Sequence, residues 1–213
     1  MLKAVIFDRD GVLIDSEYAN VGATEETFKE LWITINEEDK QQIIGRHPKD
    51  HLEYFHTKYT FSDDDFWGII YKRYYDLLDK VPFIWKAINL WNRIKDDVIL
   101  ALNTSSELKD TLWLLKKGNM ENLFTALTTA EDTQKRKPEP DSYLLTAQKL
   151  GVLPSECVAI EDSAIWLTSA KAAGMKCIII PNAYTKNQDF SQADLIVDSA
   201  DEIDIQKLRE LVA

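Results

Sequence analysis

The stretch AVIFDRDGVL, residues 4–13, decides the architecture. Ala4 to Phe7 is a short apolar run with no polar alternation, the pattern of a strand buried on both faces. Such strands belong to parallel sheets covered by helices. The run ends in two carboxylates one residue apart, Asp8 and Asp10, followed by Gly11. Ligands in open α/β sheets bind beyond the carboxyl ends of the strands, so both acids are expected at a functional edge. Burying two carboxylates there is costly unless hydrogen bonds or a cation offset them, and a divalent ion is their natural companion. By itself, a strand ending in this way is as often structural as functional.

Four further apolar runs read as strands: Val98 to Leu102, Val158 to Ile160, Cys177 to Ile180 and Leu195 to Val197. Between most of them lie segments with helical spacing. Asp141 to Leu150 begins after Pro140 and stops at Gly151, and Ser163 to Ala173 stops at Gly174, glycines that commonly close a helix in the left-handed conformation. The alternation predicts an α/β fold with a Rossmann-like parallel sheet. Ser16 to about Lys80 breaks that alternation with helical signals only, including helix starts at Asn36 and at Ser62. The expected organisation is a core of residues 1–15 and 81–213 with a helical insertion of residues 16–80.

Composition narrows the partners. Thirty-six acidic against 25 basic residues give a formal charge of -11, a field that repels phosphate backbones, and no run of lysines or arginines interrupts it. Nucleic acid is therefore not an expected partner. Cys157 and Cys177 both fall in apolar runs and read as small core residues of a protein from a reducing compartment. No apolar run approaches the roughly 18 residues of a membrane span. The expectation is a soluble, cytoplasmic protein, and nothing in the sequence fixes its oligomeric state.

Three other sites share the character of the first. Asn103-Thr104-Ser105-Ser106 follows the second strand, and its hydroxyls and backbone donors suit phosphate oxygens, although a serine or threonine there also serves as an ordinary helix cap. Lys137 stands before two prolines in KRKPEP, residues 135–140, where a stiff loop presents a cation; a solvated basic cluster is the plainer meaning. Glu161 and Asp162 end another buried strand. Two acidic strand ends at one sheet edge repel each other, and oxygen ligands of this kind suit magnesium, which also binds substrate phosphate.

In order and spacing, these four sites resemble the motifs of the haloacid dehalogenase superfamily of phosphatases, in particular its β-phosphoglucomutase-like members with a helical cap after the first motif. The resemblance spans essentially the whole chain and includes the run from Lys137 to Asp141 and the stretch from Glu161 to Met175. It implies a Mg2+-dependent phosphatase acting on a small phosphorylated metabolite. Asp8 would be the nucleophile that forms an aspartyl-phosphate, and Asp10 the general acid and base. Thr104, Ser105 and Lys137 would hold the phosphoryl oxygens. The ion would take Asp8, the backbone carbonyl of Asp10 and Asp162, with Glu161 as a ligand or supporting partner. Within the insertion, Arg46 is the candidate substrate contact; an exposed charge beside a glycine turn is its plainer reading. An aspartate at position 10 separates this pattern from that of the dehalogenases.

Three positions depart from the family pattern. Trp166 stands where a glycine usually lets the helix approach, Trp85 and Lys86 stand where a Pro-Gly hinge is usual, and Arg9 takes a place usually apolar. They leave open an alternative: a divergent or engineered member whose pocket is rebuilt by Arg9, Trp85 and Trp166, with weak, altered or absent activity. A sugar-phosphate mutase is the other alternative.

Overall fold

A computed structural model describes residues 1–44 and 48–213. In chain order it contains β1 (Ala4–Asp8), α1 (Glu17–Glu30), α2 (Glu37–Gln41), α3 (Pro48–Lys58), α4 (Asp63–Leu78), α5 (Trp85–Ile94), β2 (Ile99–Asn103), α6 (Leu108–Lys117) and β3 (Ala126–Thr128). These are followed by α7 (Asp141–Leu150), β4 (Cys157–Glu161), α8 (Ala164–Ala172), β5 (Lys176–Ile179), β6 (Leu195–Ile196) and α9 (Ile205–Leu211). Two compact units emerge, Met1–Leu13 with Phe83–Ala213, and Ile14–Pro82.

The first unit is an α/β core. Its six strands form one sheet in the order β3-β2-β1-β4-β5-β6, and each neighbouring pair is parallel. All five residues of β1 are buried, as are all five of β4, which is why both read as unbroken apolar runs. Alternate side chains nonetheless serve two cores. Val5, Phe7, Leu102 and Ile160 pack with Leu90, Ile94 and Leu208 of α5 and α9, while Ala4, Ile6, Ala159 and Cys177 pack with Tyr143, Ala147 and Leu167 of α7 and α8. Both cysteines are buried and free. Gly151 closes α7 at φ 68°.

Register places the chemistry. Asp8 pairs with Asn103 and Phe7 with Ile160, so Thr104 and Glu161 both leave the sheet at the level of Asp8. After β3 the chain returns to the other side of β1, so the strand order reverses beside the central strand, the position where open α/β sheets bind ligands.

The second unit is helical. An aromatic cluster fills it: Phe28 lies 4.5 Å from Phe55, 5.1 Å from Phe61 and 5.4 Å from Phe66 between ring centroids. Asn36 begins α2 with a reciprocal capping box to Asp39, and the Ser62 side chain accepts from the Asp65 amide at the start of α4. Among the described residues no helix is long and apolar enough to cross a membrane.

Candidate active site

Asp8 is fully buried at the end of β1. Its Oδ1 accepts from Lys137 Nζ at 3.0 Å, while its Oδ2 has no hydrogen-bond partner among the described residues. Burial, together with the neighbouring Glu161 charge, raises its pKa well above the usual carboxylate value, although Lys137 opposes the shift. Glu161, fully buried at the end of β4, accepts from the same ammonium at 3.1 Å and from the Tyr143 hydroxyl, and its Oε2 is also unpartnered. Burial pushes Glu161 up to about 8 against the pull of Lys137, with the Asp162 charge adding to the rise. Lys137 is enclosed to 1% side-chain exposure. Burial would lower its pKa, but Asp8 and Glu161 outweigh that and raise it.

Asp162 completes the group. Its Oδ2 accepts from Asn182 Nδ2 at 2.6 Å, and carboxylate oxygens of Asp8, Glu161 and Asp162 lie within 4.8 Å of one another. Three carboxylates against one ammonium leave a deficit of positive charge in a buried place. That deficit, the two orphaned oxygens and the all-oxygen donor set fit a hard divalent ion. Gly11 is what lets the chain pass this spot: at φ +76° a Cβ there would stand 2.0 Å from Asp162 Oδ2.

Asp10 faces another way. Its Oδ2 accepts from Thr104 Oγ1 at 2.9 Å and Ser106 Oγ at 3.0 Å, and its Oδ1 from Arg9 Nη2 at 2.8 Å. Among the described residues, the carboxylate group that could hold an ion is made by Asp8, Glu161 and Asp162 and does not include the Asp10 side chain. Thr104 is buried and its hydroxyl also accepts from the Ser106 amide, while Ser105 is partly exposed on the same turn. Arg46 lies outside the described residues.

The positions that depart from the family pattern have distinct surroundings. Trp166 is buried with Lys137 Nζ 4.2 Å from its ring centroid, and Tyr143 flanks the same ammonium at 5.0 Å. Arg9 is buried and paired with Asp10. Trp85 is exposed at the start of α5, beside Phe83. Ser106 lay within the hydroxyl-bearing stretch read from the sequence, but its bond to Asp10 was not foreseen, and sequence reasoning missed Tyr143 and Asn182 as members of the site. Of those two, only Asn182 had a usable signal, since it follows the apolar run of β5 at the same sheet edge.

Fold and cluster together define an α/β enzyme with its acids gathered at the carboxyl edge of a parallel sheet. The profile of the haloacid dehalogenase-like hydrolases matches residues 5–180, and the chain belongs to that family. It is 31% identical to YhcW of Bacillus subtilis, a protein named only provisionally as a phosphatase, over 98% of this chain and 96% of that one. It is 28% identical to hexitol phosphatase B of Escherichia coli, over 97% and 96%. Among solved structures, a variant of CbbY from Rhodobacter sphaeroides in complex with xylulose-(1,5)bisphosphate superposes with a TM-score of 0.81 at 26% identity, covering 95% of this chain and 96% of that one. The chain is accordingly an enzyme of the haloacid dehalogenase type with phosphatases among its relatives. The comparisons lend no support to an engineered origin.

Proposed function

We propose that the chain is a magnesium-dependent phosphatase that hydrolyses a small phosphorylated sugar or polyol through an aspartyl-phosphate on Asp8. The observation that carries this reading is the buried Asp8 carboxylate, with one oxygen on Lys137 and the other unpartnered. A carboxylate oxygen of Asp8 forms a bond to phosphorus as the ester P–O bond breaks, and Asp10 gives its proton to the departing alcohol. Asp10 then takes a proton from water, which attacks phosphorus and releases Asp8 and inorganic phosphate. Thr104, Ser105 and Lys137 hold the phosphoryl oxygens. Asp8, Glu161, Asp162 and the Asp10 carbonyl would hold Mg2+, which when bound supplies positive charge to the phosphoryl group.

The sugar-phosphate substrate class is supported by the relatives, one named for hexitol phosphates and one solved with a sugar bisphosphate. The helical unit, Ile14–Pro82, is read as the substrate-selecting cap, with Arg46 as a contact to the substrate. The test is inorganic phosphate release from an aryl phosphate and a panel of sugar and polyol phosphates, with and without Mg2+, for the wild type and Asp8→Asn. Mg2+-dependent release that is abolished in a folded Asp8→Asn variant is expected. Normal turnover by that variant rules out the nucleophile, and isomerisation of a hexose phosphate without phosphate release replaces hydrolysis with the mutase reading.

A further inference from the structure

Arg9 is the largest fully buried side chain among the described residues, and only 1% of its surface is exposed. Removing a guanidinium from water costs several kcal/mol unless its donors are satisfied with good geometry. The donors here converge on one small region. Nη2 donates to Asp10 Oδ1 at 2.8 Å and to Ser106 Oγ at 2.5 Å. Nε donates to Asp10 Oδ2 at 3.1 Å, and Nη1 to Thr111 Oγ1 at 3.1 Å. Thr111, on α6, passes the restraint on by donating to the Glu107 carbonyl at 2.9 Å. Ser106 in turn donates to Asp10 Oδ2 at 3.0 Å, closing a ring of arginine, aspartate and serine.

The arginine thus grips the Asp10 carboxylate along one edge and the turn carrying Thr104, Ser105 and Ser106 along the other. We infer that Arg9 is a positioning residue that fixes the proton-transferring carboxylate of Asp10 to the hydroxyl-bearing turn at residues 104–106 and to the first turn of α6. The consequence is mechanical. When the Thr104 hydroxyl turns to a phosphoryl oxygen, Asp10 loses one of its donors, and the guanidinium keeps the carboxylate paired and aimed. This inference rests on the acid and base role proposed for Asp10.

The distinguishing readout is leaving-group dependence. An alkyl phosphate needs a proton delivered to its departing oxygen, whereas nitrophenolate leaves without one. In single-turnover experiments with Mg2+, Arg9→Met is expected to slow alcohol release from a polyol phosphate by about tenfold or more, a part of the roughly 100- to 10,000-fold that general acid catalysis supplies. Nitrophenolate release from p-nitrophenyl phosphate is expected to change by less than about threefold, with KM nearly constant for both substrates. Asp10→Asn sets the reference and shows the same selectivity more strongly. Equal losses on both substrates by Arg9→Met, with Asp10→Asn selective, overturn the role of Arg9 alone. An unselective Asp10→Asn overturns the reading of Asp10 and the inference with it. Should Arg9→Met not fold, Thr111→Val removes one anchor of the guanidinium at a residue outside the catalytic groups. Its selective loss, smaller than that of Asp10→Asn, supports the inference, and an unselective or absent effect refutes it.

Discussion

Lys137 keeps a full charge in a place almost closed to water because its surroundings replace the hydration it gives up. Two carboxylates lie at 3.0 and 3.1 Å, and the indole face of Trp166 lies 4.2 Å from the ammonium. A desolvated cation over tryptophan contributes about 2 kcal/mol, and truncating a buried aromatic ring costs about 3–5 kcal/mol. Trp166→Ala is therefore expected to lower unfolding free energy by about 3–5 kcal/mol, whereas Trp166→Phe keeps a ring face and loses less than half of that. Urea unfolding of both variants checks this, and equal losses would remove the cation–π contribution from the account. Gly11 makes the second residue-scale case. Gly11→Ala adds a Cβ that overlaps Asp162 Oδ2 and forces an L side chain to φ +76°. Backbone strain of that kind costs about 1–3 kcal/mol. The displaced carboxylate should cut phosphate release by at least about tenfold even at saturating Mg2+, and unchanged turnover would show that Asp162 is not needed where it stands. At this scale the sequence named Asp8, Asp10, Thr104, Lys137, Glu161 and Asp162 from their places at strand ends and loop starts. It did not reveal that Trp166 faces Lys137 or that Tyr143 reaches Glu161, because those meetings depend on how α7 and α8 pack on the sheet.

The strands that were easiest to read are those buried on both faces, since an unbroken apolar run has few alternatives. β2 ends one residue later than its apolar run, at Asn103, because that polar residue still pairs with Asp8. β3 has only three residues, Ala126–Thr128, two of them part-exposed, too short a run to stand out by pattern. In the helical unit, the starts of α2 and α4 were legible from Asn36 and Ser62, but the role of Asp39 was not. Asp39 is fully buried, and its carboxylate accepts from the Asn36 amide at 2.9 Å, Lys58 at 2.5 Å, Tyr59 at 2.6 Å and Tyr54 at 2.8 Å. Burial alone would raise its pKa, but these hydrogen bonds together hold it well below the usual carboxylate range. A depressed folded-state pKa means stability that is fully present above the unfolded value of about 3.9 and is lost as pH falls towards the folded value. Asp39→Asn should therefore lower the urea midpoint of the helical unit near neutral pH, and the gap to wild type should narrow as pH falls below about 4. A gap that is constant with pH would mean that the knot contributes through shape alone.

Across the whole molecule, the acidic excess of -11 and the acidic cluster at the sheet edge act in the same direction, each favouring cations over anions. A phosphate monoester must approach that field, and the proposed divalent ion together with the buried Lys137 would offset the charge of Asp8, Glu161 and Asp162. Surface carboxylates also attract magnesium, so a bulk effect of the ion on stability does not by itself locate it. The difference between wild type and Asp162→Asn does, because that substitution removes the charge of one proposed ligand and leaves the surface field almost unchanged. With Mg2+ at about a hundredfold excess over its Kd, binding to the folded state alone adds about 2.7 kcal/mol. In a chain of this size that corresponds to a rise of about 5–10 °C in Tm. Wild type should show a rise of that order on adding Mg2+ and lose it on chelation, while Asp162→Asn should retain less than half of it. Hydrogen exchange should report the added protection at the carboxyl ends of β1 and β4, where the three carboxylates leave the sheet. If both proteins gain equally, or if protection rises only on the acidic surface, the ion is bound elsewhere and the cluster is held together by Lys137 alone.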